Sequence, residues 1–142
     1  MDRNAFFWQI MDGKLPAPPC ADALGVAFAN IRPEEGTIDV RFVAKREFLN
    51  PAGNVQGGFI AAMLDDTMGP ALAATLKQGE FAPTANLNVS FFRPAKVGEL
   101  LGKGRVLRRG KDVCFLAGEL YQNDELVAAA TATAIVRKLD AG

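Results

Sequence analysis

The stretch Asn50-Pro-Ala-Gly53-Asn-Val-Gln56-Gly57-Gly58-Phe59-Ile-Ala-Ala-Met-Leu-Asp65-Asp66-Thr-Met-Gly69-Pro70 decides how the rest of the chain is read. It opens with turn formers, passes through a Gly-Gly pair and continues as an apolar segment to Leu76. Two glycines before an apolar run let the backbone approach a neighbour closely and then start a helix whose first N–H groups are unpaired. Those N–H groups form the positive end of the helix dipole, so they can hold developing negative charge. The spacing predicts a helix over about 57–76, roughly 30 Å long at ~1.5 Å per residue. It is apolar on nearly every side, the mark of a helix buried all round. Pro70 lacks a backbone donor, so a kink or break is expected there. Asp65 and Asp66 stand in the middle of this segment. Carboxylates are rarely buried without a partner or a task.

Working outward, 4–11 reads as one short amphipathic helix stopped by Gly13, and Pro16, Pro18 and Pro19 predict an extended linker. Leu24 to Ile31 and Thr37 to Val43 read as two strands joined by the turn at 32–36, with a loop over 45–55. Beyond the long helix, strands are expected over 86–92, 99–107, 113–121 and 127–136, with hairpin turns at Gly110-Lys111 and Asn123-Asp124. A helix without a polar face must be covered, and an antiparallel sheet is the partner this chain offers. The order of elements is α+β: an antiparallel six-stranded sheet wrapped around a long central helix, with a short N-terminal helix. That is the layout of the hotdog fold.

Composition narrows the function. A chain of 142 residues reads as one domain over 1–142, large enough for a substantial core. Lys plus Arg equals Asp plus Glu, so no global field favours nucleic acid or an anionic membrane. No stretch reaches the ~18 unbroken apolar residues of a membrane span. The N-terminus lacks a basic region followed by an apolar signal core, which favours a cytoplasmic protein. Cys20 and Cys114 fit neither a disulfide framework nor a metal-ligand spacing. The chain has no histidine, which removes Ser-His-Asp and Cys-His nucleophiles, His-ligated zinc and any imidazole base. An enzyme of this composition working near neutral pH takes its proton with a carboxylate.

Asn50-x-x-Gly53-x-x-Gln56-Gly57-Gly58, followed by an acid eight residues after the first glycine of the pair, resembles the phenylacetic acid degradation (PaaI-like) thioesterases. The run Asn86-Leu-Asn-Val-Ser-Phe-Phe-Arg-Pro94-Ala95-Lys96-Val-Gly98-Glu99 is similar to that family's third strand and following turn, and the opening Leu15-Pro-x-Pro-Pro leading to Leu24-Gly25 also matches. The resemblance covers essentially the whole chain. It implies a homodimer, further paired as a dimer of dimers (a homotetramer), that hydrolyses acyl-coenzyme A without a metal or cofactor. It implies Asp65 as base or nucleophile, the Gly57 N–H as donor to the thioester oxyanion, and Thr84 as the hydroxyl that orients the water or the acid. Asn50 matches the loop amide. Where the family usually has His-Gly-Gly, this chain has Gln56. A glutamine amide can polarise a carbonyl but cannot shuttle a proton.

The residues alone leave alternatives open. Adjacent helical positions point ~100° apart, so only one of Asp65 and Asp66 faces a given site. The family spacing selects Asp65, and periodicity does not. Ala61, Asp65, Met68 and Leu72 form one stripe; Gly58, Ala62, Asp66, Gly69 and Ala73 form another, small enough for a second backbone to approach. Gln56, Gly57 and Asn50 also fit plain turn roles, and Thr84 fits the start of a strand after Pro83. Lys103, Arg105, Arg108, Arg109 and Lys111 read either as a solvated hairpin or, for Arg108, Arg109 and Lys111, as contacts for coenzyme A phosphates. Phe48, Phe59, Met63, Met68, Phe81, Phe91 and Phe92 are candidates for an aromatic or medium-chain acyl pocket, or for core. From a different class, a non-catalytic acyl-CoA-binding or regulatory module has the same outline.

One further expectation follows from helix geometry. Eight residues at ~1.5 Å each separate Gly57 from Asp65 by ~12 Å, too far for one helix to aim both at one carbonyl. A two-fold axis would bring Gly57 of one chain beside Asp65 of another, giving a shared site.

Overall fold

The computed structural model describes residues 1–139. Two short helices come first, α1 (Phe6–Met11) and α2 (Pro19–Leu24). The linker expected to be extended therefore contains a helix. Pro19 is the reason: it occupies the first turn, where the missing N–H has no intrahelical partner to lose, and Gly25 ends the helix in the left-handed region at φ 66°. The strand expected from Leu24 begins only after that cap.

Strands β1 (Ala27–Arg32) and β2 (Thr37–Ala44) follow as a hairpin, then a 3-10 turn at Arg46–Phe48 and the long helix α3 (Gly57–Ala73). The chain continues through β3 (Glu80–Phe81), β4 (Thr84–Phe91), β5 (Gly98–Arg109), β6 (Val113–Gln122), β7 (Glu125–Ile135) and β8 (Arg137–Lys138). Six strands form one antiparallel sheet in the order β1-β2-β5-β6-β7-β4, and β3 pairs separately with β8. Asn123 and Asp124 take φ of 51° and 65°, the paired positive angles of a tight two-residue hairpin, which sets Gln122 opposite Glu125.

Helix α3 touches β2, β4, β5, β6 and β7, so the sheet wraps it as a hotdog sheet wraps its helix. Two glycines of β5 make this possible. A Cβ on Gly102 would stand 2.2 Å from Thr67 Oγ1, and one on Gly104 would stand 2.6 Å from the Thr67 carbonyl oxygen. Gly118 of β6 clears Met68 in the same way. Inward-facing residues alternate along each strand: Ile38, Val40 and Phe42 in β2, Cys114, Leu116 and Leu120 in β6. They close on Ile60, Met63, Leu64, Met68 and Leu72 of α3.

Two expectations for α3 are corrected. The helix runs unbroken through Pro70, which deprives only the Asp66 carbonyl of its helical donor. Beyond Ala73 the chain tightens, with Thr75 N–H donating to Leu72 O at 2.9 Å and Leu76 N–H to Ala73 O at 3.1 Å. Nor is the helix buried all round. The sheet lies on one side, and Gly58, Ala61, Ala62, Asp65, Asp66 and Gly69 on the other remain partly or fully exposed. Among the described residues, no helix is long and apolar enough to cross a membrane.

Candidate active site

Two groups of residues lie at two levels of α3. The first surrounds its N-terminus. Gln56 N–H donates to Phe48 O and Val55 N–H to Ala95 O, both at 2.8 Å, which pins the entry to the helix. Gln56 is the N-cap in extended conformation, and its carbonyl accepts from Phe59 N–H at 3.0 Å and Ile60 N–H at 3.2 Å. Gly57 and Gly58 thereby carry the helix's unpaired donors. The Gln56 side chain is exposed and makes no capping hydrogen bond. Asn50 organises the preceding loop: its Oδ1 accepts from Ala52 N–H at 3.0 Å and Asn54 N–H at 3.1 Å, and Gly53 supplies the turn at φ 81°. A Cβ on Gly57 would meet the Phe91 ring at 3.3 Å, so a larger residue here pushes against β4.

The second group centres on Asp65. Thr84, the first residue of β4, donates from Oγ1 to Asp65 Oδ1 at 2.8 Å. Asp66 takes no part in that bond: its Oδ2 is buried and has no hydrogen-bond partner among the described residues, although both acids border one cavity, against the expectation that only one of them would face a given site. Burial, and secondarily the charge of Asp65, pushes the Asp66 carboxyl up to about 6. Asp65, Asp66 and Thr84 line a cavity of about 770 Å³ whose other walls come from α1, the 16–18 segment, α2, β1 and Phe81 to Pro83. Among the described residues, no group of three or more His, Cys, Asp or Glu side chains is arranged to hold a metal ion.

The five predicted site residues therefore fall into two sets, Asn50, Gln56 and Gly57 at one level and Asp65 with Thr84 about 12 Å along the helix axis. Strand β4 connects them. It runs antiparallel to α3, with Thr84 at Asp65 and Phe91 at Gly57. It is also an edge of the sheet, paired with β7 alone.

Arg108, Arg109 and Lys111 are exposed at the β5–β6 turn. Arg109 lies 3.8 Å from Glu80 and also donates to the Gly110 carbonyl. In register, Arg109 pairs with Cys114, Cys114 with Ala134 and Ala134 with Thr84. Three strand spacings of ~4.8 Å put the turn ~14 Å across the sheet from Thr84. Lys103 and Arg105 stand on the outer face, where Arg105 pairs with Glu119 at 2.7 Å.

Of the candidate pocket residues, Met63 and Met68 are core, Phe48 stacks on Phe59 at 4.2 Å between ring centroids, and Phe91 and Phe92 are exposed. Only Phe81 lines the cavity. The residues that do line it, Phe6, Phe7, Ile10 and Met11 of α1, were missed in the sequence. Their signal was there: an amphipathic helix needs something to cover, and Trp8 Nε1–H donates to the Ala74 carbonyl at 3.0 Å, anchoring α1 beside the end of α3.

Comparison with known proteins agrees with this architecture. Residues 52–129 match the family profile of the thioesterase superfamily. The phenylacetic acid degradation-related protein of Ralstonia eutropha JMP134 superposes with a TM-score of 0.90 at 45% identity, covering 92% of this chain and 98% of that one. The Escherichia coli PaaI protein from the phenylacetic acid degradation operon shares the fold, with a TM-score of 0.78, 23% identity and 94% of each chain covered. Human acyl-coenzyme A thioesterase 13 is 28% identical over 86 residues, 60% of this chain and 61% of that protein. The chain thus spans about three fifths of the length of the curated relatives it matches. With a family match over more than half its residues and the hotdog layout around α3, this chain belongs to the thioesterase superfamily.

Proposed function

We propose that the protein is an acyl-CoA thioesterase working as a homodimer with two shared active sites. The observation that carries this is the pairing of Asp65 with Thr84 in the wall of a mostly apolar cavity, on a helix whose N-terminus presents free N–H groups. Thioester hydrolysis needs a base or nucleophile and a place for the oxyanion of the tetrahedral intermediate. Asp65 supplies the first, with Thr84 fixing one of its oxygens and leaving the other for the attack or for a water. The Gly57 N–H supplies the second, strengthened by the helix dipole.

Both groups must reach one carbonyl, and in one chain they lie ~12 Å apart. Antiparallel pairing of two β4 edges about a two-fold axis answers this. Because β4 runs from Asp65 to Gly57, such pairing sets the Asp65 level of one chain against the Gly57 level of the other. The small, incompletely covered face of α3 at Gly58, Ala61 and Ala62 leaves room for the partner helix. Asn50, Gln56 and Gly57 then come from one subunit, and Asp65 and Thr84 from its partner. The dimer of dimers implied by the family resemblance builds on this unit. Arg108, Arg109 and Lys111, at the Thr84 end of the sheet, contact the phosphates of coenzyme A.

The test is release of free thiol from acyl-CoA by the purified protein. Steady turnover abolished by Asp65→Asn supports the reading. Tight acyl-CoA binding with no thiol release would instead make the protein a non-catalytic acyl-CoA-binding module.

A further inference from the structure

The cavity beside Asp65 is bordered by α3 over several turns. Its α3 wall is Asp65, Asp66, Gly69, Pro70, Ala73 and Leu76, one continuous face of the helix and the short turn after it. Eleven residues from Asp65 to Leu76, at ~1.5 Å each, make this wall ~16 Å long. At about 770 Å³ it falls within the roughly 300–1,000 Å³ of small-molecule sites. Its polar groups gather near the Asp65 end, apart from Asp22 and Cys20 of α2. Phe6, Ile10 and Met11 of α1 form the opposite wall, held in place by the Trp8 bond to Ala74.

Resting on the thioesterase reading, we propose that this cavity takes a straight acyl chain, its thioester at Asp65 and its tail toward Leu76, and so measures chain length. An extended chain of ~1.5 Å carbon–carbon bonds at tetrahedral angles advances ~1.25 Å per carbon, so ~16 Å holds about twelve to thirteen carbons. An arylacetyl group reaches only about 6 Å from its carbonyl carbon and would leave the part of the cavity beyond Gly69 unfilled. The substrate class is therefore a medium-to-long straight-chain acyl-CoA. Each buried methylene contributes about a three- to fourfold gain in affinity, so kcat/KM climbs with chain length until the cavity is full.

Two positions act as rulers. Gly69 lies ~6 Å and Ala73 ~12 Å beyond Asp65 along the axis. A Cβ on Gly69 would meet no described atom of the rest of the fold within 4 Å, and Gly69 borders the cavity, so Gly69→Leu directs its added carbons into the middle of that space. Ala73→Leu blocks it nearer the end.

The experiment is a kcat/KM series over butyryl- to hexadecanoyl-CoA, with phenylacetyl-CoA alongside, for the wild type and both variants. Binding of dodecanoate, followed by the fluorescence of Trp8, is measured in parallel. Expected are a wild-type optimum at about twelve to thirteen carbons, a shift to about four to six in Gly69→Leu, and a smaller shift to about nine to ten in Ala73→Leu. Turnover without chain-length preference, a preference for phenylacetyl-CoA, or variants that leave the optimum in place would overturn the proposal and leave the thioesterase reading standing. Absence of all turnover would sink the thioesterase reading instead. In that case dodecanoate binding decides the cavity: weakening by both variants, more by Gly69→Leu, upholds it as a chain site, and no binding ends it.

Discussion

Thr84 Oγ1 donates a 2.8 Å hydrogen bond to Asp65 Oδ1, joining the first residue of an edge strand to the middle of the central helix across 19 positions of sequence. The neighbouring carboxylate, Asp66, has a buried oxygen with no partner among the described residues. The two acids, adjacent in sequence, thus have different environments.

The first prediction separates them. Asp65→Asn keeps the hydrogen bond's shape but removes the base or nucleophile, and kcat is expected to fall about 10²- to 10⁴-fold. Asp66→Asn retains turnover within about tenfold, because nothing in the proposed chemistry uses it. The reverse pattern would move the assignment by one residue.

Thr84 is expected to act through Asp65. Thr84→Val removes a hydrogen bond to a charged group, worth about 1.5–3 kcal/mol, so kcat falls about 10- to 100-fold with little change in KM. Thr84→Ser restores most of the rate. A Thr84→Val enzyme with wild-type kcat would reduce this contact to a structural one.

Gln56 caps α3 through its backbone alone, leaving its exposed amide free for the substrate. Gln56→Ala is expected to lower kcat about 10- to 1000-fold as an oxyanion donor is lost, and Gln56→His to remain active. Unaltered kinetics in Gln56→Ala would leave this residue a turn former.

Subunit mixing tests the shared site. An Asp65→Asn chain and a Gly57→Val chain, the latter pushed against the Phe91 ring, are each expected to be inactive. Co-refolding them with random pairing into two-fold dimers should return roughly a quarter of wild-type activity, from one intact site in half the dimers. Demonstrated heterodimers without recovered activity contradict the shared arrangement.

Asp66 also makes stability depend on pH. Its carboxyl is raised from 3.8 to about 6, so the folded state holds this proton more tightly than the unfolded state does. The favourable contribution is complete below about pH 3.8 and is lost as pH rises through about 6. Asp66→Asn should therefore be more stable than wild type at about pH 8, by up to about 3 kcal/mol, and nearly equal at about pH 4. Denaturant midpoints at the two pH values check this. A difference that does not change with pH would mean that Asp66 is solvated in the native protein.

Much of this molecule was written in local sequence. The Gly57-Gly58 pair followed by an apolar run marked where α3 begins, because a Cβ on Gly57 would crowd the Phe91 ring at 3.3 Å and because unpaired donors open any helix. Alternation of apolar residues determined the strands, and Asn123-Asp124 determined a hairpin that needs two positive φ angles. The absence of histidine removed imidazole from the available chemistry. Other features were decided only by tertiary contact. Pro16, Pro18 and Pro19 look alike as breakers, yet Pro19 starts α2, since a proline's effect depends on whether its missing donor would have had a partner. Helix α3 survives Pro70 because packing on the sheet outweighs one lost hydrogen bond. Periodicity left Asp65 and Asp66 equivalent; it was Thr84, brought alongside by the path of β4, that gave one of them a partner. The cavity was equally hidden, because its walls come from segments as far apart as Phe6 and Thr84, and no window of sequence contains both.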